Sequence, residues 1–140
     1  MNDSFSDVYC QSIDCGKERL VKLLRSIVYA NYVNFKQTNI FSKIFNLTRP
    51  FNYTEQNILE KEILSYFNDF IYILLQQCPL ITRKETIICC LSFHFTMKII
   101  GLCLGFSSTN PIRQHKIRIK NKMTINSDNS FLFDFIFIKH

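Results

Sequence analysis

A chain of 140 residues can bury one compact core and is too long to read as a tail or linker. With 47% apolar and 20% charged residues it has the make-up of an ordinary folded protein, and three Gly and three Pro are too few for a turn-rich all-β design. The net charge of +6 is unevenly placed: residues 1–80 hold eight Lys/Arg against eight Asp/Glu, residues 81–140 nine against three, so a polyanion would meet the C-terminal part.

Residues 1–16 are rich in Asn, Asp and Ser and are expected to form a loosely packed end. From Lys17 the apolar positions Leu20, Leu23, Leu24, Ile27, Val28 and Val33 recur at helical spacing, which predicts an amphipathic helix over 17–35. Ile40, Phe41, Ile44 and Phe45 repeat the spacing in a shorter helix that stops before Arg49-Pro50, because a residue preceding proline is pushed out of helical geometry. Residues 1–53 thus read as an N-terminal helical segment of no legible role.

Thr54 is a candidate N-cap, with Glu55 placed where a negative charge suits the helix dipole, and predicts one long linking helix over 54–77 within a segment 54–79. Leu59, Ile63, Tyr66, Phe70, Ile73 and Gln77 keep alternating four-three spacing, and Ile58, Phe67, Ile71 and Leu74 widen the apolar face. The pattern serves equally as the core of one chain and as a seam to a second copy, since fewer than three heptads are present. Cys78-Pro79 ends it.

Residues 80–123 predict three short helices. Thr82 and Glu85 have capping-box spacing and start a helix carrying Ile88, Cys89, Leu91 and Ser92. A second, from about Thr96, carries Ile99, Ile100, Cys103 and Leu104 and leaves through Gly105. Ser107, Ser108, Thr109 and Asn110 are competent N-caps, and Pro111 suits the first turn of a third helix over 111–123. That helix holds Arg113, His115, Lys116, Arg118, Lys120 and Lys122 and no acid; Ile112, Ile119 and Met123 form a narrow anchoring stripe. Arg113, Gln114, Ile117 and Lys120 are expected outward, with Lys116 and Arg118 at the edges. After a polar connector capped by Ser127 or Asp128, residues 131–138 are almost wholly apolar, a run whose period does not separate helix from strand. Such an end must pack on the core or on another subunit.

The six cysteines do not read as a disulfide framework: Cys89 and Cys90 are adjacent, and both, with Cys78 and Cys103, lie among apolar residues, as reduced core cysteines do. Cys10-x4-Cys15 with distant His94, His115 and His140 lacks zinc-site spacing, so neither metal nor other cofactor is expected. The acidic N-terminus is unlike a signal peptide, and the apolar runs 87–95 and 99–106 fall short of the roughly 20 residues a spanning helix needs. The expectation is a cytoplasmic protein without membrane contact. No Gly-rich phosphate loop, carboxylate pair or Cys/His constellation points to an enzyme.

A short helix, a glycine turn and a basic helix with a hydroxyl-rich start suit insertion into a DNA groove, where free N–H groups and hydroxyls hold a phosphate. Arg113, Gln114 and Lys120 are then expected to probe bases, Ile117 to touch a thymine methyl, and Lys98, Ser107, Lys116, Arg118 and Lys122 to hold phosphates, with Ser108, Thr109 and Asn110 at the helix start. Five neutralised phosphates give a log–log salt slope of about −4.5.

Ile81-Thr82-Arg83-Lys84-Glu85, Cys89-Cys90-Leu91, Leu104-Gly105-Phe106-Ser107 and the run Arg113 to Met123 together resemble the LuxR/GerE-type helix-turn-helix found in regulators of Bacteroidetes. The resemblance covers the C-terminal half and says nothing of residues 1–53. The chain departs from the family pattern at several places: Phe93-His94-Phe95-Thr96 lacks the usual glycine and is one residue short, the stretch around Asn110-Pro111 is one residue long, Ile99 stands for an acid, and Ile117 for a small polar residue. The helical spacing before residue 80 and the resemblance after it together give an all-α fold, in which N-terminal helices and a linking helix precede a tri- or tetra-helical helix-turn-helix at 80–123 with a closing apolar helix over 124–140. The resemblance implies a transcriptional regulator of double-stranded DNA; the seam over 54–77 and the apolar end over 131–138 are the places where a homodimer could form. The alternative readings of the chain are a degenerate helix-turn-helix interaction module, as in an anti-regulator or an RNA-polymerase accessory, with a partner interface on the helix over 54–77, or a sigma-factor-like protein, since a similar unit ends sigma factors.

Overall fold

In the computed structural model, which describes the backbone of residues 5–125 and 130–138 and the side chains of that range from Gly16 onward, the proline-free N-terminal run is one helix, α1 (Phe5–Phe35). The helix expected to begin at Lys17 begins instead at Phe5, while the packing of residues 5–15 lies outside the described side chains and residues 1–4 lie outside the description. The physical reason is cooperativity: once the apolar face of 17–35 has nucleated a helix, each further residue adds a hydrogen bond at low cost until a breaker intervenes.

Thr38 joins α1 to α2 (Asn39–Phe45), its hydroxyl accepting from Phe41 N at 3.2 Å and donating to the Phe35 carbonyl at 2.7 Å. The expected helix 54–77 is two helices, α3 (Tyr53–Tyr66) and α4 (Asn68–Gln77), parted at Phe67, whose φ of −107° and ψ of 20° leave helical geometry. Phe67 is fully buried with its ring 4.8 Å from that of Tyr32 and 5.4 Å from that of Phe35, so tertiary aromatic packing holds the joint. The cap of α3 is Asn52 rather than Thr54. Asn52 Oδ1 accepts from Glu55 N at 2.8 Å while Glu55 Oε1 accepts from Asn52 N at 2.9 Å. A capping box needs an acid or amide three residues on with a side chain long enough to reach back; Asn52 has Glu55 there, and Thr54 has only Asn57.

Four helices follow: α5 (Arg83–Ser92), α6 (Met97–Cys103), α7 (Asn110–Thr124) and α8 (Ser130–Phe137). The described residues are thus all-α, as expected, and the apolar run 131–138 is helical; its expected caps Ser127 and Asp128 lie outside the described residues. No described helix is long and apolar enough to cross a membrane. Cys78, Cys89, Cys90 and Cys103 are buried in the core; the side chains of Cys10 and Cys15 lie outside the described range.

One hydrophobic cluster runs from Leu24 and Phe35 of α1 through Ile63 and Phe70 to Ile88, Ile119 and Ile136. α1 packs on α3 and α4, α3 on α5, and α5, α6 and α7 on one another, with α8 against α5 and α7. The Tyr32 hydroxyl donates to the Cys90 carbonyl, tying α1 to α5. Phe51 N donates to the Leu102 carbonyl at 2.8 Å, tying the start of α3 to α6. The heptad-like positions Leu59, Ile63, Tyr66, Phe70, Ile73 and Gln77 are all buried or half-buried within this one chain.

Candidate nucleic-acid interface

The α5–α7 unit is specified by local chemistry at each joint. The Thr82 hydroxyl accepts from Glu85 N at 3.2 Å and Glu85 Oε1 accepts from Thr82 N at 2.9 Å, which is the capping box read from the sequence. Thr96 caps α6 by accepting from Ile99 N. At the end of α6, Gly105 takes φ +89°, Gly105 N donates to the Leu102 carbonyl at 3.1 Å, and Phe106 N donates to the Gly101 carbonyl at 2.8 Å. These paired bonds are a Schellman turn, and its left-handed residue favours glycine. A Cβ at Gly101 would sit 3.2 Å from the Ser108 carbonyl, so the absent side chain lets α6 approach the turn closely.

α7 begins at Asn110, one residue before the expected start, with Pro111 in its first turn; Thr109 occupies the cap position without a side-chain cap bond. Ile112, Ile119 and Met123 are buried, so the expected stripe does anchor the helix, each side chain contributing about 1.5–3 kcal/mol on burial. Arg113, Gln114, Ile117, Arg118 and Lys120 are exposed, Ile117 at 60%. Lys98 on α6 is exposed too, as are Ser107, Ser108 and Asn110, while Thr109 is half-buried.

Three of the lysines are held by neighbours. Lys116 Nζ lies 5.5 Å from the Phe137 ring centroid and Lys120 Nζ 5.5 Å from that of Phe133, so α8 floors one flank of the basic helix. Lys122, expected at a phosphate, is turned the other way: its Nζ is 2.7 Å from Glu85 Oε1, with Glu85 buried. Burial pushes the Glu85 carboxyl up, but the Lys122 ammonium and the Thr82 N–H outweigh it and hold it below the usual carboxylate range. The pair locks the last turn of α7 to the first turn of α5.

Lys84, not singled out from the sequence, belongs to the same surface. Its Nζ lies 5.8 Å from the Phe106 ring centroid, beside the turn into α7, and its charge reaches His115. Burial, then the Arg118 and Lys84 charges, lower the His115 pKa, leaving the imidazole neutral at physiological pH. The neighbouring Arg83 is diverted to Glu60, 3.0 Å away. Only the packing of α5 against α7 brings Lys84 here, so spacing along the chain held no signal for it.

The site is thus an acid-free basic helix, α7, with Lys84 of α5 beside it, while Lys98 of the adjoining α6 is exposed. Comparison with protein-family models, with curated proteins and with solved structures finds no match.

Proposed function

We propose that this protein binds double-stranded DNA through α7 and acts as a small transcriptional regulator with a LuxR/GerE-like helix-turn-helix. The observation that carries the reading is the disposition of α7: a 15-residue helix without an acid, anchored by one buried stripe and turning Arg113, Gln114, Ile117 and Lys120 outward. A merely solvated helix has no need to exclude acids. In this reading Arg113 suits guanine, Gln114 adenine and Ile117 a thymine methyl, while Lys120 reaches along the groove. Lys84, Lys98, Lys116 and Arg118 take phosphates, with the Ser107 and Ser108 hydroxyls beside them.

Engagement of Lys122 with Glu85 removes it from the phosphate set, and Ser107 carries no charge. Lys98, Lys116 and Arg118 remain and Lys84 joins them, so four cations give a log–log salt slope of about −3.6 in place of about −4.5. Selection of bound duplexes from a random pool tests the reading. The expected result is an enriched motif that loses one position when Arg113 becomes Ala, at a cost of about 1–3 kcal/mol. A pool that never departs from random overturns it.

A further inference from the structure

A cavity of about 450 Å³ opens between α1, α8 and the turn after α5, on the side of the molecule where α8 meets α1. Its walls are Val21 and Val28 of α1, Phe93 of the turn, and Phe131 and Phe135 of α8. The Phe93 and Phe135 rings pack 5.3 Å apart. Arg25 and Asp134 are the polar groups of the lining, and no ion pair joins them among the described residues. A neighbouring pocket shares Val21, Arg25 and Phe131 and adds Lys17, Glu18 and Lys22.

Size, apolar walls and a few convergent polar groups are what small-molecule sites have in common. Across this cavity and the pocket beside it, Lys17, Lys22 and Arg25 outnumber Glu18 and Asp134, and a guanidinium in the same lining as phenyl rings suits a carboxylate attached to an apolar body. We infer that this cavity is a binding site for a small apolar carboxylic acid, its carboxylate on Arg25 and its body among Phe93, Phe131 and Phe135.

α8 connects the site to the basic surface. Phe131, Asp134 and Phe135 line the cavity, while Phe133 and Phe137 of the same eight-residue helix lie under Lys120 and Lys116. A ligand that favours one seating of α8 biases where those two ammonium groups sit. That regulatory consequence rests on the DNA-binding reading; occupancy of the cavity does not.

The test is an NMR shift titration of the full chain, free of DNA, with 4-phenylbutyrate as the probe and 4-phenylbutanol as its uncharged counterpart. The expected result is saturable amide shifts at Arg25 and along α8. Arg25→Ala and the alcohol should each weaken binding about ten-fold, and Val21→Trp, which fills the cavity, should abolish the shifts. Arg25 is exposed, so its truncation leaves the core intact. Absence of saturable shifts up to about 10 mM probe, where a millimolar site is nearly full, overturns the inference. So does equal binding of acid and alcohol, or binding unchanged by Arg25→Ala. A positive titration with no effect of the probe on duplex affinity removes the coupling to α7 and leaves the site.

Discussion

Replacing Lys122 by Met removes the ammonium 2.7 Å from Glu85 Oε1 and leaves the carboxylate buried, its side chain 3% exposed. Breaking a fully buried pair costs about 3–5 kcal/mol. Here the lysine side chain is 27% exposed and Glu85 keeps its bond from Thr82 N, so the cost falls to or just below the low end of that range, about 2–3 kcal/mol at pH 7. For a chain of this size that is a fall of about 6–10 °C in Tm. The pH dependence carries the sharper test. In the native protein Glu85 titrates below its unfolded value, so its contribution is present above the unfolded pKa and is lost as pH falls through the folded one. Without Lys122, burial dominates and the carboxyl rises, so protonation relieves the penalty and the gap to the native protein narrows from pH 7 toward pH 5. Urea unfolding across that range, with Arg118→Met as an exposed control on the same helix, measures both. A penalty under about 0.5 kcal/mol, no larger than that of a surface substitution, or one that does not change with pH, would mean that Lys122 does not hold the Glu85 carboxylate.

Other substitutions test the joints that place α7. Gly105→Ala forces a Cβ into left-handed geometry and against the Gln56 amide, and should cost at least the ~1–2 kcal/mol of the backbone strain, read as a drop in thermal midpoint; an unchanged midpoint means the turn has another geometry. Asn52→Ala should cost about 1 kcal/mol by loss of the α3 cap, whereas Thr54→Ala should stay within about 0.5 kcal/mol; the reverse order would restore Thr54 as the cap.

The parts of the fold that could be read along the chain are those specified within a few residues. The Thr82 and Glu85 box, the Gly105 exit and the Ile112, Ile119 and Met123 stripe each depend on spacing that one helical turn enforces, and each is in place. The break at Phe67 depends instead on Tyr32 and Phe35, more than thirty residues away, and periodicity runs through it unmarked. The cap of α3 was legible in principle, since only Asn52 has an acid at the required distance, but Thr54 beside Glu55 offered a competing local pattern. Within the site, exposure of Arg113, Gln114 and Ile117 follows from the stripe opposite them. The diversion of Lys122 to Glu85, 37 residues away, and the approach of Lys84 to the α7 surface are tertiary facts with no local signal.

In the proposed function α7, Lys84 and Lys98 meet the phosphates of duplex DNA. The most direct measurement is the affinity for a selected duplex as a function of salt, followed by fluorescence anisotropy. Four phosphate contacts give an expected log–log slope of about −3.6, reduced in magnitude by about 0.9 when Lys84 becomes Ala. An affinity indifferent to salt, or a slope that Lys84→Ala leaves unchanged, contradicts it.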